Sequence, residues 1–402
     1  MIARLRQAYN SAFRPATWEG HLESAAARFG AGVRDALAPT PVFLPSRLLG
    51  EMNAIAQDLF ELLGGTPGLP GDEVVPPPWR MEDDSPAPHL LNIDFALTRL
   101  PGGRIAPRVL ELQGFPSYYF SQLFLAELYA SIAPHEVRPD AAFLGGYEAA
   151  TYAALLRETI LGGEAPEQVL LVDIEPEKQK NWMEFQLTAR YCGIRIACVS
   201  RLERRGRRIG IEVDGGFQPI RRIYSRLVPE EVAARNLKLP WGHDDPPDVS
   251  WVVHPRWFFR WSKAVLPHLR HRAVPATTRL DDPGLRPDDI QGRVLKPLYS
   301  YGGRGVLMSP KRADLDAIPA DRRCRWILMD RIAPEPLVQA PVGDARLLCE
   351  VRLLFVRRRD RFEAVSTMVR LGERVTAEGS RNGLGPWSRL SLAFAATDPT
   401  LS

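Results

Sequence analysis

An α/β chain built from α+β lobes is the fold class this sequence predicts, and three observations predict it. Between 166 and 228 an apolar run, a helical stretch and a second apolar run follow at strand–helix–strand spacing. Two apolar runs flank Pro101-Gly102-Gly103, the pattern of a β-hairpin. Short apolar segments separated by glycine-rich and charged turns fill 251–402. At about 100–200 residues per domain, the 402 residues allow two or three lobes, each with its own core.

The elements follow in order. Over 15–65 the chain reads as helical, with apolar residues at three- and four-residue steps through Leu22-Ala25-Ala26-Phe29 and again from Met52 through Ile55 and Leu59 to Leu63. Gly64-Gly65 stops that second helix, and the proline-rich run to Trp79 is a loop. Leu90–Leu97 and Arg108–Gln113 are the hairpin strands, and 118–133 is a helix rich in Tyr, Phe and Leu. Val169–Asp173 is a strand, a helix runs from about Pro176 to Gly193, and Ile194–Val199 is the next strand. Arg201–Arg208 reads as a basic turn, Arg222–Arg226 as a strand and Asp244–Asp248 as a loop. A tryptophan-rich helix is predicted over 256–270. Strands are expected to end at Lys296-Pro297, to resume at Val306 and to run over Trp326–Asp330. The expected divisions are a helical cap segment (1–89), a hairpin and helix (90–150), an α/β unit (151–250) and a lobe with a glycine-rich loop (251–402).

Composition narrows the function. With 52 basic and 48 acidic side chains the net charge is +4, too mild for a nucleic-acid binder. Nothing near eighteen consecutive apolar residues occurs, so no membrane-spanning helix is expected. The first residues lack the apolar stretch of a secretory signal, and four scattered cysteines make neither a disulfide framework nor a zinc site; a cytoplasmic location is expected. The seven histidines lack ligand spacing. Lysine occurs only at positions 178, 180, 238, 263, 296 and 311, so arginine is the default cation and each lysine is informative.

Two segments carry chemistry. In Val294–Val306 a strand ends at Lys296-Pro297 and a loop with Gly302, Gly303 and Gly305 follows. Such a loop is a turn, or it brings backbone N–H groups onto phosphate oxygens with the lysine adding a point charge; the lysine favours nucleotide binding. In the hairpin, Asp94, Glu111 and Gln113 share one face, a hard-oxygen set suited to Mg²⁺ unless it is a solvated acidic face. Glu111 lies between apolar Leu110 and Leu112, which gives it a task.

The order Asp, glycine turn, Leu-Glu-x-Gln, then Trp261-Ser262-Lys263-Ala264 and Leu295-Lys296-Pro297 with Gly302-Gly303-x-Gly305-Val306, resembles the synthetase domain of glutathionylspermidine synthetases. The resemblance runs over about 90–330 and includes Asp173-x-Glu175 and Trp182-x-Glu184-Phe185. It implies a circularly permuted ATP-grasp fold with a Rossmann-like pre-ATP-grasp unit and an N-terminal helical segment. It further implies ATP and Mg²⁺, with Asp94, Glu111 and Gln113 as metal ligands. Lys263 and Lys296 would bind nucleotide phosphates, Gly302, Gly303 and Gly305 would close over them, and backbone near Met329 would pair with adenine. Asp330 would accept from ribose hydroxyls, or is a surface carboxylate beside Arg331. Asn92 stands where the family has an arginine, so a further cation is expected from Arg352, Arg370 or Arg304. For Arg352 and Arg370 the competing use is an ion pair, for example with Glu350 or Glu363. Ser117, Glu184 and Asn382 are candidate substrate contacts, with Asn181 beside Glu184; a solvated helix face competes for the latter two.

The expected function is an ADP-forming ligase that activates a small-molecule carboxylate as an acyl phosphate and couples it to an amine or amino acid. A small-molecule kinase and a non-catalytic nucleotide-binding protein are the alternatives. The residues identify neither substrate, nor the oligomeric state.

Overall fold

The computed structural model describes residues 1–81, 85–300, 303–373 and 389–397. The first helices are α1 (Ala3–Ala12), α2 (Pro15–Phe29) and α3 (Val33–Ala36), followed by strand β1 (Val42–Pro45) and helix α4 (Ser46–Gly65). The hairpin β2 (Leu90–Arg99) and β3 (Ile105–Gln113) leads to α5 (Ser121–Ala130) and α6 (Ala149–Leu161). Then come β4 (Val169–Asp173), α7 (Trp182–Cys192), β5 (Arg195–Cys198), β6 (Glu203–Arg205), β7 (Arg208–Val213), β8 (Gly216–Ile220) and β9 (Arg222–Ser225). Helix α8 (Pro229–Ala234), β10 (Ser250–Trp251), α9 (Trp257–Arg260), β11 (Thr277–Arg279) and β12 (Arg293–Pro297) follow. The chain continues through α10 (Arg312–Asp316), β13 (Trp326–Asp330), β14 (Val338–Gln339), β15 (Arg346–Arg358), β16 (Arg361–Gly372), β17 (Arg389–Ser391) and β18 (Ala393–Ala396).

These strands make a mixed α/β fold of several sheets. The largest is antiparallel, ordered β17-β16-β15-β2-β3, with β14 on β15. A parallel sheet is ordered β10-β9-β4-β5, an antiparallel one β11-β13-β12, and β6-β7-β8 form a small meander. Helix α4 packs the apolar face of the largest sheet, where Ile93, Phe95, Val351, Leu353 and Phe355 are buried with Met52 and Ile55. Side chains alternate along a strand, so Asn92 and Asp94 lie on the opposite face.

Several expectations are corrected. The stretch 15–65 is not wholly helical: Val42–Pro45 are buried and pair in parallel with Ala393–Ala396, some 350 residues later. The basic turn at 201–208 contains β6 over Glu203–Arg205 and the first residue of β7, Arg208; Arg205 and Arg208 are exposed, whereas Arg204 is partly buried and donates to the Pro240 and Asp245 carbonyls at 2.9 and 3.0 Å. The helix over 256–270 breaks after Arg260, because Trp261 and Ser262 leave helical geometry and Ser262 accepts the Ala264 N–H at 3.1 Å to start a 3₁₀ turn at Lys263. Val306 starts no strand; Leu295 and Leu307 exchange two backbone hydrogen bonds of 2.9 Å in an isolated bridge. The helix after Pro176 begins properly only at Trp182, behind a 3₁₀ turn, and closes on Gly193 at φ +73°.

Candidate functional site

The register of the largest sheet sets polar groups side by side. Asp94 stands opposite Glu111 on β3 and opposite Arg352 on β15, while Glu350 stands opposite Arg370 on β16. Arg352 donates from Nε to Asp94 Oδ1 at 2.6 Å and from Nη2 to Oδ2 at 2.7 Å, both side chains buried. Burial alone would raise the Asp94 carboxyl, but the Arg352 charge and its two bonds hold it below the usual range. Asn92 adds a 3.2 Å bond to Asp94 Oδ1 and lies 3.4 Å from Gln113 Oε1. The partner of Arg352 is thus Asp94, not Glu350 or Glu363. Arg370 takes Glu350, Nη1 to Oε1 at 2.8 Å, and burial lifts that carboxyl to about 7 despite the nearby arginine.

Asp94 is thereby put to a use other than the one expected of it. Glu111 remains, accepting from the Gln113 amide and from Lys263 Nζ at 3.3 Å. Among the described residues no group of three His, Cys, Asp or Glu side chains stands ready for a metal. A three-ligand magnesium set on Asp94, Glu111 and Gln113 would have to share both Asp94 oxygens with the buried Arg352 guanidinium, whose positive charge opposes a cation there.

The broken helix at 261–262 turns Lys263 inward, where its ammonium joins Glu111 to the Ser300 carbonyl, 2.8 Å away, and so ties the hairpin to the start of the glycine-rich loop. Lys296, on β12, is buried, and its ammonium has one hydrogen-bond partner among the described residues, the Met329 thioether sulfur at 3.7 Å. Desolvation lowers its pKa to about 8, while Glu111 acts against that fall. Gly303 and Gly305 adopt φ of +72° and +73°, and a Cβ on Gly305 would come within 3.1 Å of Pro297 Cγ. Gly302 lies outside the described residues, as does Asn382 with the rest of 374–388.

A cavity of about 480 Å³ opens beside these groups. Gln113, Ser117, Lys263, Arg304, Arg352 and Arg370 all line it, so the structure brings six of the sixteen expected site residues to one space, while Asp94, Glu111, Lys296, Met329, Asp330 and Glu184 are not on its wall. Arg226, Lys178 and Lys180 extend its cationic wall and Asp173 stands among them. Of these four, the rarity of lysine was the sequence signal for two; Arg226 carried none. Asn181 donates to Ser117 Oγ at 3.4 Å. Tyr118 lines both this cavity and a neighbouring one of about 550 Å³, and holds φ +72°. A left-handed tyrosine is strained backbone at a cavity wall. Tyr119 is packing: its hydroxyl donates to the Leu91 and Phe355 carbonyls.

Glu184 is neither a solvated residue nor a free amine contact. Buried, it accepts the backbone N–H groups of Tyr119, Phe120 and Ser121 at 2.8, 3.0 and 2.7 Å and the Ser121 hydroxyl at 2.8 Å, capping α5. Met329 sits in the central strand of its sheet, opposite Thr277 on one side and Val294 on the other. Asp330, half exposed, pairs with Arg293 at 3.3 Å rather than standing alone beside Arg331.

No family model and no curated protein matches the chain. Among solved structures it is similar to a glutathione synthetase-like effector from Globodera pallida in its apo form, with TM-score 0.58 and 11% identity over 96% of this chain and 99% of that one. At that identity the likeness is one of fold. No helix among the described residues is long and apolar enough to cross a membrane.

Proposed function

We propose that this chain is an ATP-dependent carboxylate–amine ligase, an ATP-grasp fold in circularly permuted order. One observation carries the reading: a buried Lys296 ammonium whose sole described partner is a thioether, beside a glycine-rich loop and a second lysine that faces Glu111. A buried cation so poorly satisfied fits an anionic oxygen, and phosphate supplies several. The fold likeness to a protein named glutathione synthetase-like agrees with a ligase of this type.

Lys263 and Lys296 would hold the phosphates while residues 303–305 close over them and exclude water. A substrate carboxylate oxygen attacks the γ-phosphorus, and the β–γ bridging oxygen leaves with ADP. Arg370 and Arg304, on the cavity wall, stabilise the charge that develops on the transferred group, whereas Arg352 is oriented by Asp94. The amine nitrogen then bonds to the acyl carbon and phosphate departs. Magnesium enters this reading through Glu111 and Gln113 alone, and would neutralise phosphate charge there.

ADP release in the presence of carboxylates and amines tests the proposal, with hydroxylamine as trap. Only an acyl phosphate yields a hydroxamate; a kinase yields none. Lys296→Ala should abolish turnover, and a variant hydrolysing ATP at the wild-type rate would refute the assignment. The Asp94–Arg352 pair favours a second reading, a nucleotide-binding protein without metal-dependent catalysis. Calorimetric ATP binding that is indifferent to Mg²⁺, with no ADP formed, would select it.

A further inference from the structure

The parallel sheet brings a further pair of charged side chains to the cavity already described. Its chain leaves β4 to one side through α7 to β5, then returns to the other side of β4 as β9. Ligands of open α/β sheets bind outside the carboxyl ends of the strands at such a switch point. Asp173 is the last residue of β4 and Arg226 follows the last residue of β9. Both line the 480 Å³ cavity that Lys263 and Arg304 also line.

Each of the two is buried and incompletely satisfied. Asp173 is 4% exposed; its Oδ1 accepts the Ile174 N–H at 2.7 Å, and among the described residues its carboxylate has no ion pair. Arg226 is 8% exposed, donates to the Pro116 carbonyl and lies 4.3 Å over the Phe115 ring, while its Nε is buried without a partner. Opposite charges withdrawn from water and left unpaired with each other are costly. They match a ligand that carries both charges itself. Among the other charged residues of this wall, Lys178, Lys180, Lys263, Arg304, Arg352 and Arg370 outnumber the one further carboxylate, Glu231, and the positive excess disfavours a polyamine charged at each end.

We propose that Asp173 and Arg226 form a subsite for a zwitterionic α-amino acid, Arg226 holding its carboxylate and Asp173 its ammonium. This rests on the ligase reading for the chemistry that follows, not for binding. The amino acid is then the acceptor: Asp173 takes a proton from the ammonium, the freed nitrogen bonds to the acyl carbon, the carbon–oxygen bond to phosphate breaks, and the nitrogen's second proton leaves on the departing phosphate. A carboxyl raised by burial to about 7 suits that transfer near neutral pH.

Calorimetry of the full chain without nucleotide is the test, using glycine, L-alanine, L-glutamate, L-lysine and spermidine in turn. At least one amino acid should bind saturably, and at least tenfold more tightly than spermidine and than its own decarboxylated amine. Asp173→Asn and Arg226→Met should each weaken that binding tenfold or more, with the near-isosteric Asp173→Asn deciding should the arginine variant misfold. Binding unchanged in Asp173→Asn, tighter binding of spermidine, or silence from every amino acid would each overturn the subsite. ATP titrated into the same samples separates the two readings: amino-acid binding without any ATP binding sinks the ligase and leaves the subsite standing.

Discussion

Arg352 and Asp94, 258 residues apart in sequence, meet across β15 and β2 as a buried bidentate ion pair with contacts of 2.6 and 2.7 Å. Removing one member leaves the other charged and dry. Asp94→Ala is therefore expected to destabilise the fold by about 3–5 kcal/mol, whereas the double apolar replacement Asp94→Leu with Arg352→Met recovers most of that loss. Urea unfolding of the two variants beside wild type checks it. An Asp94→Ala protein as stable as wild type, deficient only in ATP turnover, would return Asp94 to the metal.

Lys296 opposes folding where it serves binding. Its folded pKa of about 8 lies below the 10.5 of an exposed lysine, so the cost of its charge is present below pH 8 and fades as pH rises toward 10.5. Lys296→Met should raise stability at pH 7 by about 3 kcal/mol, from 1.36 kcal/mol per pKa unit, and abolish ATP binding. Denaturation with and without ATP measures both. A destabilised variant that still binds ATP would contradict this.

Burial raises Glu350 and Asp173 to about 7, above their ordinary values of 4.5 and 3.8. The folded chain then keeps protons that the unfolded chain has shed, so their contribution is full below about pH 4 and is lost as pH climbs through 7. Glu350→Gln and Asp173→Asn should each flatten the decline in stability between those limits. Profiles parallel to wild type would show that neither carboxyl is protonated in the fold.

Glu184→Ala strips α5 of its cap and orphans three backbone N–H groups and a hydroxyl in the interior. A loss of about 3 kcal/mol is expected. Glu184→Gln should recover part of it. If Glu184→Ala instead raises the KM of an amine substrate at unchanged melting temperature, the cap is not its role.

Gly305→Ala places a side chain on left-handed backbone 3.1 Å from Pro297, at a cost of about 1–2 kcal/mol. The loop must shift to relieve it, so ATP affinity should fall together with stability. Wild-type ATP affinity in this variant would mean that the loop does not cover the phosphates.

What is local was legible in the sequence. Apolar runs on either side of Pro101-Gly102-Gly103 specify their own hairpin, and the turn sets the register from Arg99 opposite Ile105 to Phe95 opposite Val109; a bulge between Asp94 and Phe95 then shifts it by one residue and puts Asp94 opposite Glu111. Val169–Asp173, the helix that follows and Gly193 at its end encode their geometry in neighbours a few residues away. The scarcity of lysine pointed to Lys263 and Lys296 before either had a neighbour. Only the tertiary structure decided where charges end. Nothing near Asp94 in sequence names Arg352, nothing near Glu184 names the Ser121 amide 63 residues before it, and Val42–Pro45 become a strand only by meeting Ala393–Ala396. A buried carboxylate takes its function from what desolvates and pairs it, and both come from parts of the chain that local propensity does not reach.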